Sequence, residues 1–109
     1  MQEVAAYVYI LASCIGGTLY IGVTSDLVKR VFERRSGAVD GFTKTYNVHW
    51  LVYCERHGTI KAAIQRERRM KKWNRKWKIE LIQRQNPDWI DLYPGIASTV
   101  STGSPPSRG

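Results

Sequence analysis

Two short runs near the N-terminus, residues 6–13 and 18–24, are rich in Tyr, Val, Ile and Leu and flank Gly16 and Gly17. Strand-forming runs around a glycine pair predict a β-hairpin. With Gly16-Gly17 as the turn, Ile10 faces Val23 and Ala12 faces Ile21. Side chains alternate along a strand, so Val8, Ile10, Ala12, Leu19, Ile21 and Val23 share one face. Tyr7, Tyr9, Tyr20 and Gly22 share the other, and any even-length loop preserves that parity. Ser25 caps a predicted helix from Asp26 to about Ser36, with Gly37 just past its end. Leu27, Val28, Val31 and Phe32 form its apolar stripe, and Arg30 and Arg34 lie one turn apart on another side.

Residues 38–47 read as a loop. VHWLVYCE follows as a third strand, apolar on both faces and therefore expected to be central. Thr59 caps a long helix from Ile60 to about Trp73, and RKWKIELIQRQ extends as a further helical segment. Asn86-Pro87 ends it, because the residue before proline avoids helical geometry. Trp89, Leu92 and Tyr93 are expected to pack back on the core. From Pro94 onward the Pro/Gly/Ser/Thr-rich sequence lacks periodicity and reads as disordered. The expectation is one α/β domain over residues 1–93, a three-stranded antiparallel sheet flanked by helices, followed by a tail over 94–109.

The long helix contains an anomaly. Its inward stripe of Ile60, Ala63 and Ile64 continues, seven residues from Ile60, to Glu67. A carboxylate on an apolar face needs compensation, either in a structural ion pair with a residue such as Arg30 or His49, or as a metal ligand. Around it, Arg66, Arg68, Arg69, Lys71, Lys72, Arg75, Lys76 and Lys78 place eight of the 17 basic residues within thirteen positions. Trp73 and Trp77 are interleaved; they fit core packing, and an aromatic can also stack on an unpaired base.

Charge adds to the picture. The 109 residues carry 17 Lys and Arg against 9 Asp and Glu, a net charge of +8. Such a surface favours polyanions, because phosphate contacts release condensed counterions. No apolar run approaches the roughly 20 residues a bilayer demands, and no continuous apolar face marks a lipid-binding helix. Nucleic acid is the expected partner, with Arg34, Lys44, Lys71, Lys72 and Arg75 as candidate contacts. Cys14 and Cys54 match no zinc template and read as reduced thiols. VAAYVYILASC imitates a lipoprotein signal but lacks a basic segment ahead of it, which implies a cytoplasmic protein.

These residues converge on a known family. Tyr7-Val8-Tyr9 stands where GIY-YIG nucleases have their first motif, and Tyr20-Ile21-Gly22 reproduces the second. Arg30, within SDLVKR, matches the family's arginine on the first helix, and Glu67, within AAIQRE, matches its single acidic metal ligand. The resemblance runs from about residue 5 to residue 93. GFTKTYNVHWLVYCE and NPDWIDLY are similar to small stand-alone bacterial members related to the N-terminal nuclease domain of the excision-repair incision subunit.

The resemblance implies a hydrolase, a metal-dependent DNA endonuclease that is structure-selective and linked to DNA repair. Tyr9, Tyr20, Arg30 and Glu67 are its catalytic residues. One Mg²⁺ or Mn²⁺ ion on Glu67 would polarise the phosphate, Arg30 would neutralise its charge, and Tyr20 or Tyr9 would activate water. No small-molecule cofactor is implied, and a monomer is expected. Two departures stand out. Tyr7 replaces the first motif's glycine, and Arg34 occupies the place of a His or Tyr. Arginine cannot deprotonate water at neutral pH, so the alternative is a catalytically weak or inactive nucleic-acid-binding module. The family's late asparagine corresponds to Asn86 or Asn74.

Overall fold

In a computed structural model, which describes residues 5–35 and 50–100 with side chains to residue 96, the first apolar run forms strand β1 (Ala6–Ala12). Strand β2 (Leu19–Thr24), helix α1 (Leu27–Arg35) and strand β3 (Trp50–His57) follow. Helices α2 (Ile60–Lys72), α3 (Arg75–Gln85) and α4 (Tyr93–Val100) complete the order. The strands form one antiparallel sheet in the order β2-β1-β3. The expected α/β architecture is therefore observed, and no helix among the described residues is long and apolar enough to cross a membrane.

The hairpin register differs from the expected one. Ile10 faces Ile21 and Ala12 faces Leu19, because the turn is a four-residue loop, Cys14 to Gly17. Ser13 N–H donates to Thr18 O at 3.1 Å and Gly17 N–H to Cys14 O at 2.9 Å, with Gly16 at a φ of 70°. Four is an even number, so the face assignment survives. Val8, Ile10, Ala12 and Ile21 enter a core with Ala63 and Met70 of α2, Ile82 of α3, and Trp89. Tyr9 and Leu11 pack on the opposite face with Leu27 and Val31 of α1, and Tyr7 and Tyr20 border them.

Strand β3 lies at an edge of the sheet, contrary to the central place its composition implied. Its apolar residues are nonetheless covered on both faces: Val52 and Tyr53 join the first core, Leu51 the second. A bulge permits this, since Ile10 faces Tyr53 while Leu11 faces Leu51 and Val52 is left over. The outer edge is capped by the C-terminal segment. Asn86 Nδ2 donates to Val52 O at 3.0 Å and Leu92 N–H to Leu51 O at 2.8 Å. Leu51 N–H in turn donates to Asp91 Oδ1 at 3.3 Å. Exposed strand edges invite unwanted pairing, and residues 86–92 close this one.

Two local expectations are corrected and a third is borne out. Asp26, not Ser25, caps α1, its Oδ1 accepting from Lys29 N–H at 3.2 Å. Phe32 and Ile60 stand exposed, because α1 and α2 touch the sheet along narrower stripes than their apolar residues span. The two basic helical segments are separate helices, broken at Trp73, with Thr59 and Asn74 as their caps. Residues 38–47 lie outside the described residues.

The end of the folded chain also differs from the sequence expectation. Trp89, at a φ of 55°, is buried in the first core, whereas Leu92, Tyr93 and Ile96 pack on the second. The chain therefore wraps round the β3 edge and continues as α4. An ion pair from Arg35 to Asp91 at 2.7 Å, with the Arg35 guanidinium 4.7 Å from the Tyr93 ring centre, fastens this wrap to α1. Tyr93 docks as expected, and the Pro/Gly/Ser/Thr composition conceals only Ile96, one helical turn further on the same core. Residues 101–109 of the expected tail lie outside the described residues. Truncation after Leu92 should lower stability by about 1.5–3 kcal/mol, the worth of one large buried side chain. A thermal melt identical to that of the full chain would show that α4 contributes nothing.

Candidate active site

The hairpin parity brings two phenols together. Tyr9 faces Gly22 across the strands, and its ring lies so close that a Cβ on Gly22 would stand 2.5 Å from Oη and 2.6 Å from Cζ. Glycine is thus required at position 22 by the ring opposite it. Tyr9 is fully buried, and its hydroxyl has no hydrogen-bond partner among the described residues. The Tyr20 ring centre lies 6.3 Å from that of Tyr9, tilted by 42°.

Helix α1 supplies the charge. Burial of Leu27 and Val31 fixes its rotation and turns Arg34 toward Tyr20. Arg34 Nη2 donates to Tyr20 Oη at 2.8 Å, with the guanidinium carbon 4.6 Å from the ring centre. Arg34 Nε is buried without a partner among the described residues. Arg30, its side chain 41% exposed, pairs with Glu33 at 3.5 Å. Burial raises the pKa of the Tyr9 phenol and neighbouring Tyr20 adds to this, while Arg34 and Arg30 pull in the opposite direction. Tyr9 therefore keeps its proton at neutral pH.

Glu67 lies between buried Ala63 and Met70 on α2, with its side chain only 16% exposed. The apolar-face anomaly expected from the sequence is real. Its partner among the described residues is Lys71, whose Nζ stands 2.6 Å from its carboxylate; Arg30 pairs with Glu33, and the expected alternative His49 lies outside the described residues. Helix α2 packs on the sheet face opposite the phenols. The two sides meet at β2, the strand at the other edge of the sheet. There Tyr20 and Lys71 line one groove of about 280 Å³ with Leu19, Ile21 and Lys78. The structure thus puts Tyr9, Tyr20 and Arg34 in one cluster with Arg30 in its field. Glu67 is not part of that cluster: it lies on the other face, and only its partner Lys71 lines the groove beside Tyr20.

The candidate phosphate contacts fare unequally. Lys44 lies outside the described residues. Lys72 is exposed, Lys71 holds Glu67, and Arg34 holds Tyr20. Arg75 is committed elsewhere, its guanidinium clamping the carbonyls of Gly16 and Gly17 in the hairpin loop. Lys78, absent from the expected contacts, shares the Tyr20 groove. Its only signal in the sequence is its place at the end of the basic run. Of the two asparagines, Asn74 caps α3, its Oδ1 accepting from Trp77 N–H at 2.9 Å, and Asn86 is buried in the β3-edge contacts.

A second polar cluster lies on β3 and α2. Glu55 accepts from Arg66 Nε at 2.9 Å, meets His57 Nε2 at 2.6 Å, and takes a short hydrogen bond from Tyr53. Burial opposes its ionisation, but these three hydrogen bonds outweigh burial and hold the carboxyl below its ordinary pKa. Glu55 is a saturated structural carboxylate. Among the described residues, no three of His, Cys, Asp and Glu form a metal-sized cluster.

Residues 5–80 match the family model described as the GIY-YIG catalytic domain. The chain belongs to the GIY-YIG family. Among its relatives, a UPF0213 protein of Syntrophus aciditrophicus is 39% identical over 83 residues, which cover 75% of this chain and 93% of the relative. A UPF0213 protein of Bacillus pumilus is 38% identical over 78 residues, covering 72% and 79% of the two chains. The solution NMR structure of a UPF0213 protein from Bacillus halodurans is similar with a TM-score of 0.51 and 25% identity, over 91% of this chain and 99% of that one. The chain is thus similar to small stand-alone proteins carrying the same domain.

The buried phenol makes a stability prediction. Tyr9→Phe should leave the melting temperature unchanged or raise it, because it removes a buried hydroxyl that has no partner among the described residues. Gly22→Ala should cost about 1–3 kcal/mol, as overpacking does. Chemical denaturation of both variants checks this, and a strongly destabilised Tyr9→Phe would show that the hydroxyl has a structural partner.

Proposed function

We propose that the chain is a cytoplasmic, monomeric endonuclease that hydrolyses DNA phosphodiester bonds with the aid of one Mg²⁺ or Mn²⁺ ion. The observation that carries this reading is the Tyr9–Tyr20–Arg34 cluster with Arg30 alongside it. Two phenols and two guanidiniums on one sheet face form a constellation suited to a phosphate and an attacking water. Its position against the β2 groove, where Lys71 and Lys78 add positive charge, supports a polyanionic substrate.

Glu67 fits a divalent ion. Its carboxylate is a hard oxygen donor, mostly buried and the only acid on α2, and Lys71, itself 55% exposed, is long enough to swing aside. A single carboxylate suffices for magnesium, which usually keeps several waters. Bound there, the ion would supply Lewis-acid polarisation of the phosphate and stabilise the leaving oxygen. Arg30, the more exposed guanidinium, binds a phosphate oxygen and neutralises charge developing in the transition state. Tyr20 reaches the groove and, as the phenolate left when its own proton passes to solvent, takes the proton of the attacking water, while Arg34 holds its oxygen in position. Tyr9 stays protonated and, being fully buried, supports the Tyr20–Arg34 pair without touching the substrate. Arg34 thus takes a positioning role where the family has His or Tyr.

One contact favours the second reading, a binding module with weak chemistry: Lys71 already neutralises Glu67. The two readings part on one experiment. Single-stranded, duplex, flapped and branched DNA are incubated with the protein in Mg²⁺ or Mn²⁺. Cleavage is expected with the wild type and should fall at least a hundredfold in Glu67→Gln (about 2.7 kcal/mol of lost transition-state stabilisation), with fold and DNA binding retained. Equal cleavage by the variant would refute the role of Glu67; binding without cleavage by the wild type would establish the module.

A further inference from the structure

We infer that the junction of α2 and α3 carries a second binding site, in which Trp77 stacks on an unpaired nucleobase of a DNA strand. This deepens the nuclease reading and rests on it: the site would hold a base beside the strand that passes Tyr20.

The break between the helices sets the geometry. Trp73 leaves the helical conformation at ψ 151°, and Asn74 caps α3. This brings the Trp73 and Trp77 rings edge to face, 6.1 Å apart at 79°. The two rings have different roles. Trp73 is half-buried against the core and covered by the Arg66 guanidinium, 5.2 Å from its ring centre, which Glu55 holds in place. Trp77 is 54% exposed. A large flat ring held on a rigid neighbour but left in water gains little for the fold. It is a ready surface for a planar partner.

The surroundings select that partner. Trp77, Glu80, Leu81 and Arg84 recur along one side of α3 and, with Arg66 and Trp73, line a groove of about 360 Å³. That volume lies in the range of small-ligand sites, about 300–1,000 Å³. Glu80 disfavours a phosphate in the groove itself, yet its carboxylate can accept from the amino groups of a base. Arg84 can meet the phosphate attached to that base. The route to the cleavage groove is short in sequence, because Lys78 lines the Tyr20 groove and follows Trp77 directly. Arg68, Arg69, Lys72 and Lys76 lie around the same junction, all four exposed. A base in a duplex stays stacked inside it, so the groove would serve only an unpaired nucleotide.

The test measures binding in EDTA, independently of cleavage. A labelled twelve-residue thymidine oligonucleotide is compared with an abasic strand of equal length and charge. The wild type should bind the base-bearing strand about tenfold more tightly, the factor that about 1.4 kcal/mol of stacking gives, with quenching of tryptophan fluorescence. Trp77→Ala should erase that preference without changing the salt slope, and Trp77→Phe should retain most of it. Equal affinity of the wild type for both strands would overturn the stacking site while leaving DNA binding intact. So would a preference that survives in Trp77→Ala. Failure to bind either strand would overturn the nucleic-acid reading itself, and this site with it.

Discussion

The close approach of the Tyr9 ring to Gly22 governs the arrangement of the candidate site. A phenol can be wholly buried on a central strand only where the neighbouring strand offers no side chain beneath it, and position 22 provides that space. With Tyr9 pressed onto β2, Tyr20 becomes its neighbour two residues along the same face. Rotation of α1, fixed by Leu27 and Val31, then delivers Arg34 to Tyr20. The arrangement leaves one buried hydroxyl and one buried guanidinium nitrogen without partners among the described residues. Each such group is costly in a folded interior. Their presence together at one cluster is what a site retained for chemistry, at some expense in stability, is expected to look like.

Net charge is a poor guide to which cations can meet DNA. Eight basic residues crowd positions 66 to 78, but three have internal work. Arg66 satisfies Glu55, Arg75 closes the hairpin loop, and Lys71 neutralises Glu67. The first two are structural commitments, Arg66 tying α2 to Glu55 of β3 and Arg75 tying α3 to the hairpin loop. The third is an exposed lysine on a mostly buried carboxylate, the kind of pair that gives way to a stronger cation. What remains for phosphate is a smaller set at the α2–α3 junction and in the Tyr20 groove.

Much of this is legible in the sequence. Alternation in β1 and β2 puts the two phenols on one face whether the turn has two residues or the four observed, because parity depends only on the loop being even. The apolar stripe of α2 marks Glu67 as anomalous from helical periodicity alone. The departures arise where tertiary context decides. VHWLVYCE has the composition of a central strand, yet β3 is an edge strand whose second flank is covered by residues 86–92. Arg75 looks identical to Lys72 in a basic run, and only the position of the hairpin loop separates them. Ile96 is hidden in a Pro/Gly/Ser/Thr context whose composition outweighs its spacing from Tyr93.

The two edges of the sheet explain where a substrate could enter. At β3 the peptide groups of Leu51 and Val52 are bonded by Asp91, Leu92 and Asn86, and the chain wraps from one core to the other across them. That side is a closed structural seam, stiffened by the Arg35–Asp91 ion pair. At β2 no further strand pairs among the described residues, and the edge is bordered by Tyr20, Lys71 and Lys78. Glu67 and the phenols occupy opposite faces of a sheet, so a single phosphate can meet both only round the end of a strand or past an edge. At the β2 edge Lys71 of α2 lines one groove with Tyr20, which brings the two faces nearest to a common opening. The asymmetry of the sheet, one edge sealed and the other lined with charge, therefore makes the β2 edge the side on which the proposed site can open to a substrate.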